Sequence, residues 1–515
     1  MLNFSIVEGS KQEFDRLIIA KTSTRVIVSC RRHSSLVGPL CFPSVQNSII
    51  LTDSAHSLTA VAIIQSSQIP AKTMPFHSFF TFFFFIFFLY PFSIQSPAHA
   101  ISFVSPIQKD NATLFYSFTV YLKTPLQPTR LHLDVGASFS WVACDAGYNS
   151  TTYQHIPCAS LLCDSLGHNL PCSVCFNAPS PSCANDSCSL FPENSVTRKI
   201  ALSPGLTDSL ALPTSDGSTQ GPPILLPGYI FSCSPRSLLE GLANNVTGLA
   251  AFGRSNYSLP AQVSNTFSVP RCFALCLPGS PSDPGVALIG SVGPYYFSPQ
   301  KTDLSKSLVY TPLVLNPVGS TVVTYAGEPS DEYYINMTSI NVNGKPIQIN
   351  SSLLAVDENG SGGTKISTAV PYTVLESSIY NALTKAFVNE SSALNLTVTD
   401  TVKPFGVCYS AADITVTRVG PGVPTVDFVM HSDNVFWRVF GSNSMVRIRR
   451  DAGGDVWCLG FVDGGVNPRT SVVIGGHQMV DNLLQFDLDN SRLGFTSSVL
   501  LKGTTCSNFN FASTR

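Results

Sequence analysis

The stretch Leu131-His132-Leu133-Asp134-Val135-Gly136-Ala137-Ser138 decides the fold that we predict for this chain. An apolar run leads into Asp-x-Gly-x-Ser, and Trp141-Val142 follows. A second stretch, Gly362-Gly363-Thr364-Lys365-Ile366-Ser367-Thr368-Ala369-Val370-Pro371-Tyr372, repeats the layout of a short strand running into a loop. Later in each half comes an apolar pair before glycine, Leu288-Ile289-Gly290 and Val473-Ile474-Gly475. The chain therefore echoes itself, and two similar lobes are expected.

The first stretch resembles the first active loop of a pepsin-type aspartic protease. In the matching second loop, the expected Asp-Ser-Gly-Thr has become Ser367-Thr368-Ala369-Val370. That chemistry needs two carboxyl groups that share one proton. Asp134 supplies one, and the hydroxyl of Ser367 cannot act as the base at physiological pH. We therefore predict that the chain binds a partner and is not a protease.

Three further features favour the loss of peptide hydrolysis. Val135 stands where a Thr hydroxyl would brace the two loops against each other. Ala369 adds a Cβ where a substrate backbone would pass. Asp134 is predicted to have no like-charged neighbour, so nothing would separate the pKa values of an acid and a base.

Other catalytic arrangements have less support in the sequence. Asp357 and Glu358 could supply a carboxylate, but a solvated charge in their glycine-rich turn is the better interpretation. No Gly-x-Ser-x-Gly nucleophile motif is present, so His477 is read as structural.

Composition excludes several classes of function. Charged residues make up 12% of the 515, and the formal net charge is −2, so nucleic-acid binding is not expected. Strand-sized apolar runs separated by Pro and Gly predict a mostly β protein with few short helices. The clearest helical pattern, with apolar residues three to four apart, spans 375–389. No cofactor or metal is predicted.

A hydrophobic segment from Phe76 to Tyr90 follows Met74 and precedes Ala98-His99-Ala100. An apolar stretch that ends at a small-x-small site is typical of a secretory signal peptide. We predict a signal peptide over 74–100 and a non-native or disordered leader over 1–73. The alternative is a membrane anchor, because 76–94 is just long enough to span a bilayer. Once the signal is cleaved, no membrane contact is expected.

Cysteines and glycosylation sequons agree with secretion. Seven cysteines fall within 144–188, which predicts a disulfide-stapled insert. Cys172-Ser173-Val174-Cys175 has no second pair nearby, so a metal or redox role is disfavoured. Thirteen cysteines follow the signal, so one is expected to be free, and Cys272 is the candidate. Asn-x-Ser/Thr sequons, which predict a glycosylated surface, begin at Asn111, Asn149, Asn185, Asn245, Asn256, Asn336, Asn350, Asn359, Asn389 and Asn395.

Longer motifs resemble one plant family over all of 101–515: the extracellular dermal glycoprotein and basic 7S globulin group, with the cereal xylanase inhibitors. The most specific are Phe191-Pro192-Glu193-Asn194, the Gly362–Thr368 stretch, Gly441-Ser442-Asn443-Ser444-Met445-Val446 and Ile474-Gly475-Gly476-His477-Gln478. The resemblance implies a bilobal pepsin-like fold, with lobes over 101–310 and 311–515, and secretion to the cell wall. It implies partners of two kinds: a microbial xyloglucan endoglucanase or xylanase, or a small hormone-like peptide.

The resemblance also assigns residues. Twelve cysteines match the family pattern, with Cys408 expected to pair with Cys458: Cys144, Cys158, Cys163, Cys172, Cys175, Cys183, Cys188, Cys233, Cys276, Cys408, Cys458 and Cys506. Inhibitory loops in the family carry basic or aromatic side chains, and a guanidinium suits the paired carboxylates of a glycoside hydrolase. The candidates here are Arg418, Arg469, Arg447, Arg449 and Arg450.

The resulting prediction is a secreted, proteolytically inactive inhibitor of a microbial cell-wall-degrading glycoside hydrolase. One alternative is a residual aspartic endopeptidase that uses Asp134 with an unconventional partner. The other is a storage or peptide-hormone-binding protein, which the sequence does not separate from an inhibitor.

Overall fold

The computed structural model describes residues 101–513, apart from 146, 168, 300, 325, 326, 452 and 453, and three short strands nearer the N-terminus. Those strands are β1 (Arg16–Lys21), β2 (Thr24–Ser29) and β3 (Phe42–Pro43), and they form an antiparallel sheet of their own. They lie in the segment 1–73, for which the sequence predicts no ordered fold. The predicted signal peptide over 74–100 lies outside the described residues, so it stays a prediction, as does the leader.

The remaining chain is built mainly from short strands, as predicted. Those of the N-terminal half are β4 (Ser102–Lys109), β5 (Tyr116–Leu122), β6 (Gln127–Asp134), β7 (Trp141–Ala143), β8 (Gln154–His155), β9 (Ser189–Leu190), β10 (Ser203–Ser215), β11 (Thr219–Ser234), β12 (Gly248–Ala251), β13 (Cys272–Cys276), β14 (Gly285–Ile289), β15 (Tyr296–Phe297) and β16 (Thr302–Asp303). Those of the C-terminal half are β17 (Val309–Val314), β18 (Tyr333–Ile335), β19 (Ser339–Val342), β20 (Lys345–Pro346), β21 (Thr364–Ile366), β22 (Thr373–Leu375), β23 (Val398–Thr399), β24 (Cys408–Ser410), β25 (Val416–Thr417), β26 (Gly420–Pro421), β27 (Val426–Val429), β28 (Phe436–Val439), β29 (Met445–Ile448), β30 (Val456–Leu459), β31 (Phe461–Asp463), β32 (Val472–Ile474), β33 (Leu483–Asp487), β34 (Arg492–Phe495) and β35 (Asn510–Ser513).

Helices are few and mostly short. They are α1 (Leu161–Leu166), α2 (Leu259–Phe267), α3 (Ser377–Ser392), α4 (Gly441–Ser444) and α5 (Gly476–Met479), with 3-10 turns at Arg236–Leu239, Leu304–Ser307, Ser351–Leu354, Ala411–Asp413, Val499–Lys502 and Cys506–Asn508. In the part of the chain that the structure describes, none of these helices has the length and apolarity needed to cross a bilayer.

Helix α3 covers all but the first two residues of the segment 375–389 that the sequence predicted as helical, since Leu375 ends β22 and Glu376 is the N-cap. Ile379, Leu383 and Phe387 recur every four residues and are fully buried, because that spacing places them on one face. The Glu376 carboxylate accepts hydrogen bonds from the backbone N–H groups of Ser378 and Ile379 and so caps the first turn.

A continuous antiparallel sheet joins the two halves, in the order β4-β14-β13-β33-β34-β17. Its central pair matches Phe273 with Phe486, whose rings stack at 4.6 Å. Phe252 and Tyr333, from opposite halves, pack against Phe273 at 5.2 and 6.0 Å. Aromatic side chains buried on this sheet therefore fix one half against the other.

Each half supports its key loop in the same way. Strand β12 runs parallel to β6, pairing Ala251 with Asp134, and antiparallel to β7. Strand β32 runs parallel to β21, pairing Ile474 with Ile366, and antiparallel to β22. The true counterpart of 473–475 is thus β12, and matching it to Leu288-Ile289-Gly290 was wrong. That segment belongs to β14 in the joining sheet, where a buried strand has the same apolar pattern.

Six disulfides connect the described residues. They are Cys144–Cys233, Cys158–Cys172, Cys163–Cys188, Cys175–Cys183, Cys276–Cys506 and Cys408–Cys458. Three of the bridges lie within 158–188 and staple the insert expected there. Cys272 is the free cysteine of the described residues and is buried. The twelve bridged cysteines and the 408–458 pair agree with the pattern that the resemblance implied.

Candidate functional site

The two key loops have the same local geometry. Asp134 Oδ1 accepts the N–H of Gly136 at 2.7 Å, and Ser367 Oγ accepts the N–H of Ala369 at 3.1 Å. Each side chain thus bonds the backbone two residues on, which fixes a tight turn after a strand. Ser367 therefore stands in its loop as Asp134 stands in the other.

A single hydroxyl braces the loops against each other. The Thr368 hydroxyl donates to the carbonyl oxygen of Leu133 at 2.7 Å and accepts the N–H of Val135 at 3.2 Å. Val135 has no hydroxyl and so cannot form the equivalent bonds from the first loop to the second, as expected from the sequence. The loops are therefore held in contact by half of a symmetric brace.

Asp134 has a carboxylate neighbour that the sequence did not reveal. A Cβ built on Gly136 would lie 3.5 Å from Asp134 Oδ1 and 3.7 Å from Glu332 Oε1, so the two oxygens are at most about 7 Å apart. Glu332 Oε1 in turn contacts Lys365 Nζ at 2.6 Å, in an ion pair whose side chains are 15% and 18% exposed. The expectation that Asp134 has no like-charged neighbour was wrong, because the fold brings β18 beside the first loop.

Electrostatics separates these two carboxyl groups. Burial raises the pKa of Asp134, whose side chain is 3% exposed, and the negative charge of Glu332 adds to the increase. Hydrogen bonds from Ser195 and Gly136 and the charge of Lys365 act in the lowering direction without reversing it. Burial would also raise the pKa of Glu332, but Lys365 outweighs it, so that pKa is lowered. Glu332 is thus the ionised group of the pair, and Asp134 is the one that retains a proton more readily.

A second ion pair closes the space beside Asp134. Arg198 Nη1 contacts Glu193 Oε1 at 2.7 Å, while Glu193 Oε2 accepts the N–H of Val322 at 2.8 Å. Arg198 also donates to the carbonyl oxygen of Ser320. These bonds fix residues 320–322 of the C-terminal half onto the 193–198 segment of the N-terminal half. We call residues 316–324 the crossing loop.

Burial of Asp134 follows from this arrangement. Oδ2 of Asp134 and Oγ of Ser195 are both buried. Burial also raises the pKa of Glu193, and the charges of Asp134 and Glu332 oppose its ionisation further. The site holds one carboxyl and one hydroxyl on the paired loops, flanked by two ion pairs. It does not hold the two loop carboxyls that share a proton in an aspartic protease dyad.

The five candidate arginines differ in what they contact. Arg469 donates to the carbonyl oxygens of Val318 and Gly319 at 2.9 and 2.8 Å, so it anchors the crossing loop. Arg447 pairs with Asp455 at 2.7 Å, and Arg450 donates to the carbonyl oxygen of Asp400 at 2.7 Å. Arg418 and Arg449 are exposed, and within the described ranges neither has an ion pair or hydrogen bond from its side chain.

Arg418 stands at the tip of a fixed hairpin. Strands β25 and β26 pair through Thr417 and Gly420, and the Thr417 hydroxyl donates to the Gly420 carbonyl oxygen at 2.8 Å. Helix α4 anchors the turn, because the Ser442 N–H donates to the Val419 carbonyl oxygen at 2.8 Å. Neighbouring Val416 is 68% exposed. The hairpin therefore presents a free guanidinium beside an apolar side chain.

The remaining sequence candidates are not gathered into a site. Asp357 and Glu358 are exposed in a turn that Asp357 closes by accepting the N–H groups of Asn359 and Ser361. His477 is half-buried, contacts the Met445 carbonyl oxygen at 3.1 Å, and has its pKa lowered to about 3, mainly by desolvation of its ring.

A metal site also has no support among the described residues. The group of side chains close enough to share an ion there is Cys158, Cys172 and Asp186. Its two cysteines are joined in a disulfide, so they offer no thiolate.

Sequence reasoning missed Glu332, Lys365, Glu193 and Arg198 as parts of the site. Glu193 and Lys365 were quoted only as members of motifs. A usable signal existed, because a charged residue inside a buried apolar motif is unusual in a chain with 12% charged residues. The pairing itself joins positions 33 residues apart and could not be read from spacing.

Comparisons with known proteins agree on one family. The family model described as xylanase inhibitor N-terminal matches residues 116–291, and the one described as xylanase inhibitor C-terminal matches 332–497. Probable aspartic proteinase GIP1 of Glycine max is 55% identical over 82% of this chain and 95% of its own length. Gamma conglutin 1 of Prunus dulcis is 37% identical over 81% of this chain and 91% of its own.

Solved structures agree with this result. The crystal structure of edgp is 47% identical, with a TM-score of 0.77, over 80% of this chain and 98% of that one. The crystal structure of basic 7S globulin from soybean is 32% identical, with a TM-score of 0.66, over 80% and 99%. The mostly β, bilobal pepsin-like architecture expected from the sequence is confirmed by these matches.

Proposed function

The chain belongs to the plant family of xylanase inhibitor-type, pepsin-like proteins that includes the basic 7S globulins, and from this membership we propose that it is a secreted inhibitor of a microbial glycoside hydrolase. The target is an endoglucanase that acts on xyloglucan, or a xylanase. The protein itself has no protease activity in this proposal, and its role is plant defence.

The observation that carries the proposal is the free guanidinium of Arg418 on its anchored hairpin. Glycoside hydrolases use a pair of carboxyl groups about 5–9.5 Å apart in an open cleft. A guanidinium binds carboxylates through two parallel hydrogen bonds, and a hairpin already fixed in place loses little conformational entropy on binding. Exposed Val416 beside it would add apolar contact at the cleft wall.

Secretion has independent support. The predicted signal peptide precedes a domain with six disulfides, and disulfides persist in oxidising compartments. The asparagine of every sequon quoted above is exposed. An extracellular location in the cell wall is therefore proposed, with no membrane or nucleic-acid partner.

Inhibition of purified fungal xyloglucanase and xylanase, measured with the full chain secreted and processed by plant cells, tests the proposal. We expect stoichiometric inhibition of one of the two enzymes. Arg418→Ala should weaken inhibition by about 30-fold, as expected for an interface hot spot worth about 2 kcal/mol. Arg449→Ala is the matched control, because Arg449 is equally exposed and unpaired, and inhibition should not change.

Two results would count against this assignment. Undiminished inhibition by the Arg418→Ala variant would move the contact to another loop. Failure of the folded, monodisperse protein to inhibit either enzyme would remove the inhibitor proposal and favour binding of a small hormone-like peptide, or storage.

A residual aspartic-type endopeptidase is the second candidate. Two observations favour it: Asp134 lies near Glu332 with their pKa values displaced in opposite directions, and the GIP1 relative is described as a probable aspartic proteinase. Peptide cleavage at acid pH that is lost in Asp134→Asn would support this candidate. Two contacts argue against cleavage. The crossing loop is bonded to Glu193, and Glu332 is paired with Lys365.

A further inference from the structure

A surface groove lies between helix α3 and the segment that follows β19. Its volume is about 980 Å³, within the range of sites that hold molecules larger than a single sugar ring. Apolar side chains form much of the lining: Ile347, Ala382, Ala386, Val388 and Val407. Polar side chains make up most of the rest: Gln348, Asn381, Thr384, Lys385, Asn389 and Ser392.

The residue after Asn389 fixes one wall of this groove. Glu390 accepts a hydrogen bond from Lys345 Nζ at 2.7 Å and from Asn343 Nδ2 at 3.1 Å. These bonds tie helix α3 to the β19–β20 hairpin, so the direction of the neighbouring Asn389 is set as well. Asn389 is exposed, lines the groove, and begins the sequon Asn389-Glu390-Ser391.

We propose that Asn389 carries an N-linked glycan whose first sugars lie in this groove. In that modification the Asn389 Nδ2 bonds to the anomeric carbon of an oligosaccharide linked to a lipid pyrophosphate. The bond from that carbon to the pyrophosphate oxygen breaks, the lipid pyrophosphate leaves, and Nδ2 loses a proton. The inference rests on the secretion proposed above, because that donor is found in the secretory pathway.

The chemistry of the groove suits an N-acetylglucosamine unit. Such a sugar has an apolar ring face and an acetyl methyl group, which would cover the partly exposed side chains of Ala382, Ala386 and Val388. Its hydroxyl groups would reach the polar lining, where Gln348 and Lys385 stand. Ser391 of the sequon is fully buried, so the sugar is added before helix α3 packs.

Asn395 offers a matched comparison on the same segment. It is exposed three residues beyond the end of α3, begins the sequon Asn395-Leu396-Thr397, and does not line the groove. A glycan there starts outside this groove. Comparison of the Asn389 and Asn395 glycans therefore distinguishes the effect of carrying a glycan from the effect of a glycan that lies in the groove.

Native and denatured release of glycans by a peptide N-glycosidase tests the proposal on the full chain secreted from cultured plant cells. Site occupancy is read by mass spectrometry from the asparagine-to-aspartate change. We expect the Asn389 glycan to be released at least tenfold more slowly than the Asn395 glycan from native protein, and at the same rate after denaturation. Asn336, which is also exposed, replaces Asn395 if the latter is bare.

A variant pair gives a second readout. Asn389→Gln should expose the groove and raise the fluorescence of an added apolar dye, whereas Thr397→Ala, which removes the Asn395 glycan, should not. Secreted protein with Asn389 bare, or equal native release rates at both sites, would overturn the inference and leave the inhibitor proposal standing. Retention of the protein inside the cell with all sequons bare would overturn both.

Discussion

The Asp134 loop and the Ser367 loop share one geometry and differ in chemistry. In each loop a side-chain oxygen accepts the backbone N–H of the residue two positions later. The strand before each loop pairs with a parallel strand, β12 in one half and β32 in the other. Only the Ser367 loop sends a hydroxyl, that of Thr368, to the backbone of the other loop, and only the Asp134 loop has a carboxyl at its turn position. The backbone framework of the two loops thus persists although Asp134 supplies the one carboxyl at their turn positions, because the strands and the joining sheet hold the loops independently of these side chains.

The largest effect on this pair of loops should come from Lys365→Met. Removal of Lys365 leaves Glu332 as a largely buried carboxylate without its nearest counterion, and we expect a cost of about 3 kcal/mol of unfolding free energy, the low end of the range for a broken buried pair. Because Lys365 holds the pKa of Glu332 below its unfolded value, the ion pair stabilises above the unfolded pKa and its contribution fades as the pH falls through the folded pKa. Denaturant titrations at neutral and acid pH should show the cost shrinking on acidification. The double variant Lys365→Met/Glu332→Gln should recover most of it.

Thr368→Val should have the next largest effect. The change keeps the shape of the side chain but leaves the Leu133 carbonyl and the Val135 N–H unpaired in a buried contact. Each such group costs about 1–3 kcal/mol, and because both lie in one contact we expect a combined loss near the low end of the sum, about 2–3 kcal/mol. Val135→Thr, which adds the hydroxyl missing from the other side, should change stability by less than about 1 kcal/mol. Equal stability of Thr368→Val and the natural protein would show that the brace does not hold the loops.

The third position of each loop gives a smaller contrast. A Cβ on Gly136 would lie 3.1 Å from Glu332 Cγ, so Gly136→Ala must shift the Glu332 side chain by a few tenths of an ångström and should cost about 1 kcal/mol. Ala369 already has its Cβ, and Ala369→Gly should cost about 0.5–1 kcal/mol through backbone entropy alone. Only Gly136→Ala should therefore show the pH dependence expected of a disturbed Glu332, which thermal unfolding across pH would detect.

Asp134→Asn should have the smallest effect, and of opposite sign. Burial raises the pKa of Asp134 in the folded protein above its value in the unfolded chain. The folded protein therefore loses stability as the pH rises from the unfolded pKa through the folded pKa, because Asp134 must ionise in a buried position. The neutral Asn removes that loss, so the variant should unfold at a higher temperature than the natural protein at neutral pH and at about the same temperature at low pH. Destabilisation that grows with pH would contradict the raised pKa.

Local sequence was enough to predict much of this molecule. The apolar runs before Asp134 and Ser367, the spacing of Ile379, Leu383 and Phe387, and the dense cysteines of 144–188 each identify an element, because secondary structure follows from short-range periodicity. The absence of a second loop carboxyl is likewise a property of one position, Ser367. These features need no knowledge of which segments meet.

Tertiary structure decided the rest. It showed that β12, and not 288–290, supports the Asp134 loop, since two buried strands with the same pattern differ only in their partners. It placed Glu332 beside Asp134, set their pKa values apart, and separated the free Arg418 from the engaged Arg469. Electrostatic energy depends on distances between residues far apart in the chain, and those distances exist only once the strands have paired.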